Sequence, residues 1–428
     1  MIICYTKRMK EKLRTTNLIE FKATNYRSIK QTTVLSMVAG KGKRNTFKDK
    51  HAGVSLLKSA IIFGANASGK SNLIRGLYFF AALITDETTL YRDDEFETDP
   101  SPFMLDSSSR RKSTTFELTI SCQDKVFTYS ASFDNTKKTI AHERLRVKYP
   151  VTPSGVTIYA RDYDTITINR PRTNAPVRHG ISETHRRLLQ ADKLFVATLS
   201  SLADQTIASE FVRAIEDMNI FNGVVHKPIG KLINALSPKT ASRSNSMAQL
   251  KPIILNFLTA ADLSISDIDV RTNGDNKEVY VVHRYRDGKK FHTQAFPLHE
   301  ESHGTQKMLE NVVPILESLI KGVPYIVDEL DHTLHPTLLR FILQLFHSAN
   351  TTAQLIMTSH DVTLMDDRDD LTKDQIFFIE RLPDHSSDLY SLADFDIRNQ
   401  TRNLSKRYLA GEFGARPAIK EEYSVHEG

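Results

Sequence analysis

Residues 64–71 read GANASGKS, which fits the pattern G-x(4)-G-K-[ST] without exception. The glycines let the backbone curl until successive N–H groups point at phosphate oxygens. In that geometry Gly64, Ala65, Asn66, Ala67, Ser68 and Gly69 cradle the phosphates of a nucleotide. Lys70 reaches the β- and γ-phosphates, and the Ser71 hydroxyl ligates Mg2+. Asn72 follows in the first turn of a helix whose N-terminal dipole favours the same anion. A chance match in a chain this long arises on the order of once or twice in a hundred. The alternative of a surface glycine turn is therefore the weaker one.

Far along the chain, 325–329 reads YIVDE, an apolar run ending in two acids. Asp328 fits the Mg2+ shell, and Glu329 fits a group that orients or deprotonates an attacking water. A lone run of this kind says little; behind a full phosphate loop it is the expected other half of an ATP site. LIMTSH at 355–360 is another apolar run, and His360 at its C-terminal end can reach a γ-phosphate. ESHGTQK at 301–307 precedes a helix. There Ser302 and Gly304 offer a hydroxyl and a backbone N–H to an anion. Ser302 or Thr305 as an ordinary N-cap is the alternative, and both readings can hold together.

These residues must be positioned by strands and helices. The spacing predicts opening strands over 17–37, a polar loop over 39–51, a buried strand over 59–63 and a helix over 72–84. Antiparallel strands are expected over 114–120, 125–133 and 139–149, with Asp134 and Asn135 as turn material. Residues 150–182 hold four prolines and two glycines, so loop and short strand are expected. Residues 183–263 turn helical, and 274–298 return to β around an Arg286-Asp287-Gly288 turn. Helices are expected over 308–320 and 336–347, and buried strands over 323–327, 354–358 and 375–380. The fold class is α/β. We divide the chain into 1–149, which carries the phosphate loop, an inserted region over 150–295, and 296–428, which carries the later motifs.

The 428 residues can bury a large core, and 40% hydrophobic with 25% charged residues is ordinary for a globular protein. No run of about 18 apolar residues suggests a transmembrane helix. The first 14 residues have a basic flank without the apolar core of a signal peptide. Two cysteines, Cys4 and Cys122, form no motif, and a cytoplasmic location is expected. The net charge of +6 mildly favours an anionic partner such as DNA, RNA or an acidic protein, with a basic soluble enzyme as the alternative. Arg161, Arg170, Arg172, Arg178, Arg186 and Arg187 form a basic stretch suited to phosphate contact or to a solvated face. It has few aromatics, so single-strand binding there is not favoured.

With the four motifs in this order, the chain resembles ABC-type ATPase heads of the RecF/SMC/OLD kind. It is most similar to stand-alone AAA_15/AAA_21 proteins of the RloA/AbiLi-like class. The matching text is NYRSI at 25–29, IIFGANASGKSNLI at 61–74, ESHGTQKML at 301–309, VDELDHTLHP at 327–336, TSHDVTLMD at 358–366, KDQIFFIE at 373–380 and YLAGEFGARP at 408–417. The region 150–295 matches only loosely. The resemblance implies a P-loop head with a mixed β-sheet and an inserted helical and β middle region, using ATP and Mg2+. It implies head-to-head dimers or larger homo-oligomers, in which Ser302, Gly304, Thr305 and Gln306 act on ATP held by a partner copy. By the same resemblance Asp331 is the acid of the D-loop and His360 the switch histidine. His332 departs from the small residue usual there.

OLD-family nucleases carry a TOPRIM domain after the ATPase, and the residues beyond His360 are expected to be too few for one. The acids of 366–370 fall where the family has a variable polar loop. The expected function is therefore an ATPase acting as sensor or regulator in a bacterial anti-phage, abortive-infection system, with a separate nuclease-type effector encoded nearby. The alternative is a RecF-like ATPase that clamps DNA in repair. A scaffold that binds nucleotide without turnover is the third reading, and an intact Glu329 argues against it.

Overall fold

A computed structural model describes residues 15–416, apart from 43, 89, 91–98, 151, 170–180, 182, 203–205, 222–228, 237–249, 262–263, 274–275, 333, 367–370 and 397–402. The described chain opens with an antiparallel pair, β1 (Thr16–Thr24) and β2 (Thr33–Ser36). A small hairpin follows, β3 (Thr46–Asp49) and β4 (Val54–Leu57). It lies partly in the stretch expected as loop, where half-buried Phe47 packs on the core. Next come β5 (Ser59–Phe63) and helix α1 (Lys70–Ile84). A meander follows: β6 (Thr114–Cys122), β7 (Lys125–Asp134), β8 (Thr139–Tyr149), β9 (Thr152–Asp162) and β10 (Thr165–Ile168). With β1 and β2 these strands make a seven-stranded sheet of order β10-β9-β8-β7-β6-β1-β2. On β8, Leu145 and Val147 are buried while Arg144 and Arg146 are exposed, the alternation of a sheet with one covered face.

Two helices, α2 (Phe195–Leu202) and α3 (Ile207–Glu216), lead to the short strand β11 (Asn219–Phe221). Helices α4 (Ile229–Leu236) and α5 (Leu250–Ala260) precede a three-stranded sheet of β12 (Asp267–Asn273), β13 (Asn276–Asp287) and β14 (Lys290–Pro297). The rest is α6 (His303–Lys321), β15 (Tyr325–Val327), α7 (Pro336–His347), β16 (Leu355–Thr358), β17 (Ile376–Arg381), β18 (Ser387–Ser391) and α8 (Leu404–Leu409). Among the described residues no helix is long and apolar enough to cross a membrane.

The second large sheet runs β11-β15-β16-β5-β17-β18, parallel throughout except for β18. Its central strands are apolar on both faces because both faces are covered. Ala60 and Ile62 enter the core shared with α1 and the seven-stranded sheet. Ile61 and Phe63 enter a second core with α6 and α7. α1 lies between the two sheets and buries Leu73, Leu77, Phe79 and Phe80. Phe80 stacks on both Phe116 and Tyr129 of the seven-stranded sheet. Each such side chain contributes roughly 1.5–3 kcal/mol through burial. Gln354 joins the sheets: its amide accepts from the Leu18 N–H at 2.7 Å and donates to Leu18 O at 3.0 Å and Leu57 O at 3.2 Å.

The stretch 150–295, expected as an inserted region, shares strands with both sheets. β9 and β10 extend the seven-stranded sheet past Tyr149, and β11 is the edge of the parallel sheet. The β8–β9 register shifts between Val147 and Tyr149, next to Pro153 and Gly155. A bulge absorbs a proline that an unbroken ladder would exclude.

Candidate nucleotide site

β15, β16 and β5 are adjacent and parallel, with Leu355 opposite both Tyr325 and Ser59. Their C-terminal ends therefore lie side by side, bringing together 64–72, 328–331 and His360. Residues 65–72 line a cavity of about 910 Å3 with Glu329, Asp331, His332 and His360. Position at the carboxyl ends of parallel strands is where open α/β sheets bind ligands.

The phosphate loop is built for close backbone approach. A Cβ on Gly64 would sit 2.4 Å from Ile379 O of β17. Gly69 has φ 109°, and a Cβ there would meet the Ser387 and Ser28 hydroxyls. These hydroxyls buttress the loop. Ser387 Oγ donates to Ser68 O at 2.6 Å and pairs with the Ser28 hydroxyl at 2.8 Å, and Asn72 Nδ2 donates to Ser28 Oγ at 2.8 Å. On the other flank, Ala65 N–H donates to Ala415 O at 3.0 Å, which places the tail motif against the loop. Lys70 is buried and donates to Gly64 O at 2.7 Å and Ala65 O at 3.0 Å. Burial lowers its pKa, opposed by the carboxylates of Glu329, Asp328 and Asp331.

Asp328 is buried at the end of β15. Its Oδ1 accepts from Thr358 Oγ1 at 2.6 Å. Burial raises its pKa, and the negative charge of Glu329 adds to that, while hydrogen bonds from Thr358 and Ser71 lower it. Glu329 has a left-handed φ of 52°, rare for a residue with a side chain. Its N–H donates to Thr358 Oγ1 at 2.8 Å, which holds that conformation. Its Oε1 lies 3.8 Å from His360 Nε2. Asp331 Oδ2 accepts from Ser359 Oγ at 2.8 Å and from the His360 and Asp361 N–H groups at 2.5 and 3.0 Å. Asp331 and the turn that carries His360 are thus one hydrogen-bonded unit. Thr358, Ser28 and Ser387 carry these contacts without having been singled out from sequence. Ser28 and Thr358 lie within quoted motif text and Ser387 lies outside it, and their partners are far away in the chain.

These residues fit a nucleotide with Mg2+. Ser71 and Asp328 are bonded hard-oxygen donors, the set that Mg2+ shares with phosphates. The buried Ser68 hydroxyl and Asp331 Oδ1 have no partner among the described residues. The glycine cradle leaves no room for side chains. A bound Mg2+ would neutralise phosphate charge. The chain's own groups would position phosphates (Lys70 and the loop N–H groups) and orient water (Glu329 beside His360).

Ser302, Gly304, Thr305 and Gln306 do not line this cavity. Ser302 is the N-cap of α6 and accepts from Thr305 N–H at 3.2 Å, and Gln306 Nε2 donates to Glu301 O at 2.7 Å. In the basic stretch, Arg161 is buried; it donates to Gln190 O at 2.6 Å and Tyr163 O at 2.8 Å, and lies 3.6 Å from buried Glu143. It is a structural cation, because Glu143 also accepts from the Phe195 and Val196 N–H groups. Arg170, Arg172 and Arg178 lie outside the described residues, as do 367–370 of the acidic stretch.

A phosphate loop after β5, an acid pair after β15 and a histidine after β16 define a P-loop ATPase domain. The chain belongs to the AAA_21 family, described as "AAA domain, putative AbiEii toxin, Type IV TA system", whose model matches residues 59–366. No curated protein matches the chain in sequence. Solved structures similar to it include an SMC head bound to the C-winged helix domain of ScpA, at 13% identity and a TM-score of 0.44, covering 88% of this chain and 98% of that one. An SMC head domain from Thermotoga maritima is 13% identical, with a TM-score of 0.40 and the same coverage. An SMC head with an extended coiled coil, bound to the C-terminal domain of ScpA derived from Pyrococcus furiosus, is 12% identical, with a TM-score of 0.39, covering 88% of this chain and 96% of that one.

Proposed function

We propose that this chain binds and hydrolyses ATP with Mg2+ as an ABC-type head, and that ATP closes two or more copies upon one another. The carrying observation is that Lys70, Ser71, Asp328, Glu329 and His360 converge, while Ser302–Gln306 lie off the cavity they form. One copy therefore holds the phosphate and water side of a site, and a second copy would supply Ser302, Gly304, Thr305 and Gln306. The assembly acts in the cytoplasm as the sensor and regulator of an anti-phage, abortive-infection system, holding or releasing a separate nuclease-type effector. The family description, which names a toxin–antitoxin system, supports a role paired with a second protein. In this reading 1–149 and 296–428 supply most of the head, and 150–295 adds β9, β10 and β11 to its two sheets.

Glu329→Gln tests it. The carboxamide keeps shape but cannot take a proton, so the variant should bind ATP and accumulate as a closed oligomer. Its turnover should fall about 100-fold or more. Binding is read by nucleotide fluorescence and assembly by light scattering. Turnover equal to wild type would remove Glu329 from the water-activating role.

A further inference from the structure

The ribbon of β13 and β14 leaves the body of the molecule just before Ser302. β12 pairs with β13 only as far as Val282, opposite Asp267, so the ribbon beyond has two strands. Every residue from Arg284 to Gln294 is exposed. Two-stranded ribbons are marginal on their own, and solvent-facing rings add little to their stability. Yet Tyr285 is 49% and Phe291 60% exposed.

The rings are held in place. Tyr285 stacks on His292 across the strands with centroids 5.6 Å apart, and the Arg284 guanidinium lies 4.0 Å over Phe291. Tyr285 pairs with His292 and Arg286 with Phe291 at the next position, so the two rings stand on opposite faces. Arg284, Arg286, Lys289 and Lys290 surround them against a single acid, Asp287. None of the four cations forms an ion pair with a carboxylate among the described residues.

From this juxtaposition we infer that the ribbon binds unpaired nucleic acid, with bases stacked on Tyr285 and Phe291 and phosphates against the four cations. Exposed rings interleaved with cations are the combination that tracks a single strand; a duplex hides the base faces that stacking needs. A protein partner could use the rings, but four cations against one acid on so small a ribbon favour a polyanion. The ribbon root also touches the segment proposed to act on a partner's ATP. His283 Nδ1 lies 3.0 Å from Ser264 O, and its Nε2 lies 2.8 Å from Oε1 of Glu301, the neighbour of Ser302. Any effect of the strand on ATP turnover rests on the composite-site reading; strand binding does not.

The test is fluorescence anisotropy of the full chain without nucleotide. The probes are labelled mixed-sequence DNA and RNA single strands of about 16 nucleotides and the matching duplex. Single strands should bind more tightly than duplex, with the DNA and RNA arms identifying the source. Tyr285→Ala and Phe291→Ala should each weaken binding by about 5- to 150-fold. Arg284→Gln with Arg286→Gln should flatten the salt dependence by about one to two units of slope. These residues are exposed, so melting should be unchanged. Should a ring variant melt early, the charge pair reads the same site through the salt slope. No wild-type binding at low salt, duplex bound as tightly as single strand, or full binding by the variants would overturn the inference. Ring variants that lose self-association, with no oligonucleotide bound by wild type, would also overturn it and assign the ribbon to a protein contact.

Discussion

Asp328 is kept in an environment that resists its charge. Burial lifts its pKa above the usual carboxylate value, the charge of Glu329 lifts it further, and the Thr358 and Ser71 hydroxyls offset only part of this. Ionisation in the fold is therefore less favourable than in the unfolded chain. With a folded pKa above the unfolded one, the native state loses stability as pH rises beyond the unfolded value. Asp328→Asn should accordingly melt above wild type at neutral pH, with the gain fading as pH falls toward 4. Its ATP turnover should be lost. Thermal melts across pH check this; a variant less stable than wild type at pH 7 would contradict it. Glu329 shows a related tension, since its left-handed backbone costs about 1–3 kcal/mol unless the surroundings compensate. The Thr358 hydroxyl that accepts its N–H is part of that compensation.

At the scale of elements, the site depends on how β5 meets its neighbours. Ile379 O on β17 leaves Gly64 no space for a Cβ, so Gly64→Ala should destabilise by about 1–3 kcal/mol. A fall in the denaturant midpoint reads this. The other end of β5 is tied to α7: His347 Nε2 meets Ser59 Oγ at 2.9 Å and Gln375 Nε2 at 3.1 Å. Burial pushes the His347 pKa down to about 3, with Lys58 and Arg44 adding to it. Its contribution is full above the unfolded value near 6.5 and is lost as pH falls toward 3, by about 1.4 kcal/mol per unit at most. His347→Gln should flatten that acid limb in urea titrations at pH 4 and 6. The strands ending in the motifs are legible in sequence, because SAIIF, YIV and LIMT are apolar apart from the terminal Ser59 and Thr358, as strands buried on both faces must be. Their adjacency is not legible, since sheet order is set by contacts hundreds of residues apart. β9 is hidden by Pro153 and Gly155, which read as loop until the bulge beside Tyr149 accommodates them. Thr358, Ser28 and Ser387 are ordinary hydroxyls in sequence, and only the fold gives them partners.

For the whole molecule, the proposal is that ATP joins two copies of the chain. The phosphate loop and Glu329 share one cavity within a chain, and Ser302–Gln306 cap α6 away from it. Symmetric pairing of two heads would complete two such sites at once. Lys70→Ala should leave a head unable to hold phosphate, and Ser302→Arg one unable to serve its partner, so each should be inactive alone. The most direct measurement is the ATPase rate of their mixture. In a mixed pair, one site combines the intact loop of one variant with the intact Ser302 of the other. Random pairing should then restore about a quarter of wild-type activity. A mixture as inactive as its components, or a Ser302→Arg variant fully active by itself, would contradict a site shared between two copies.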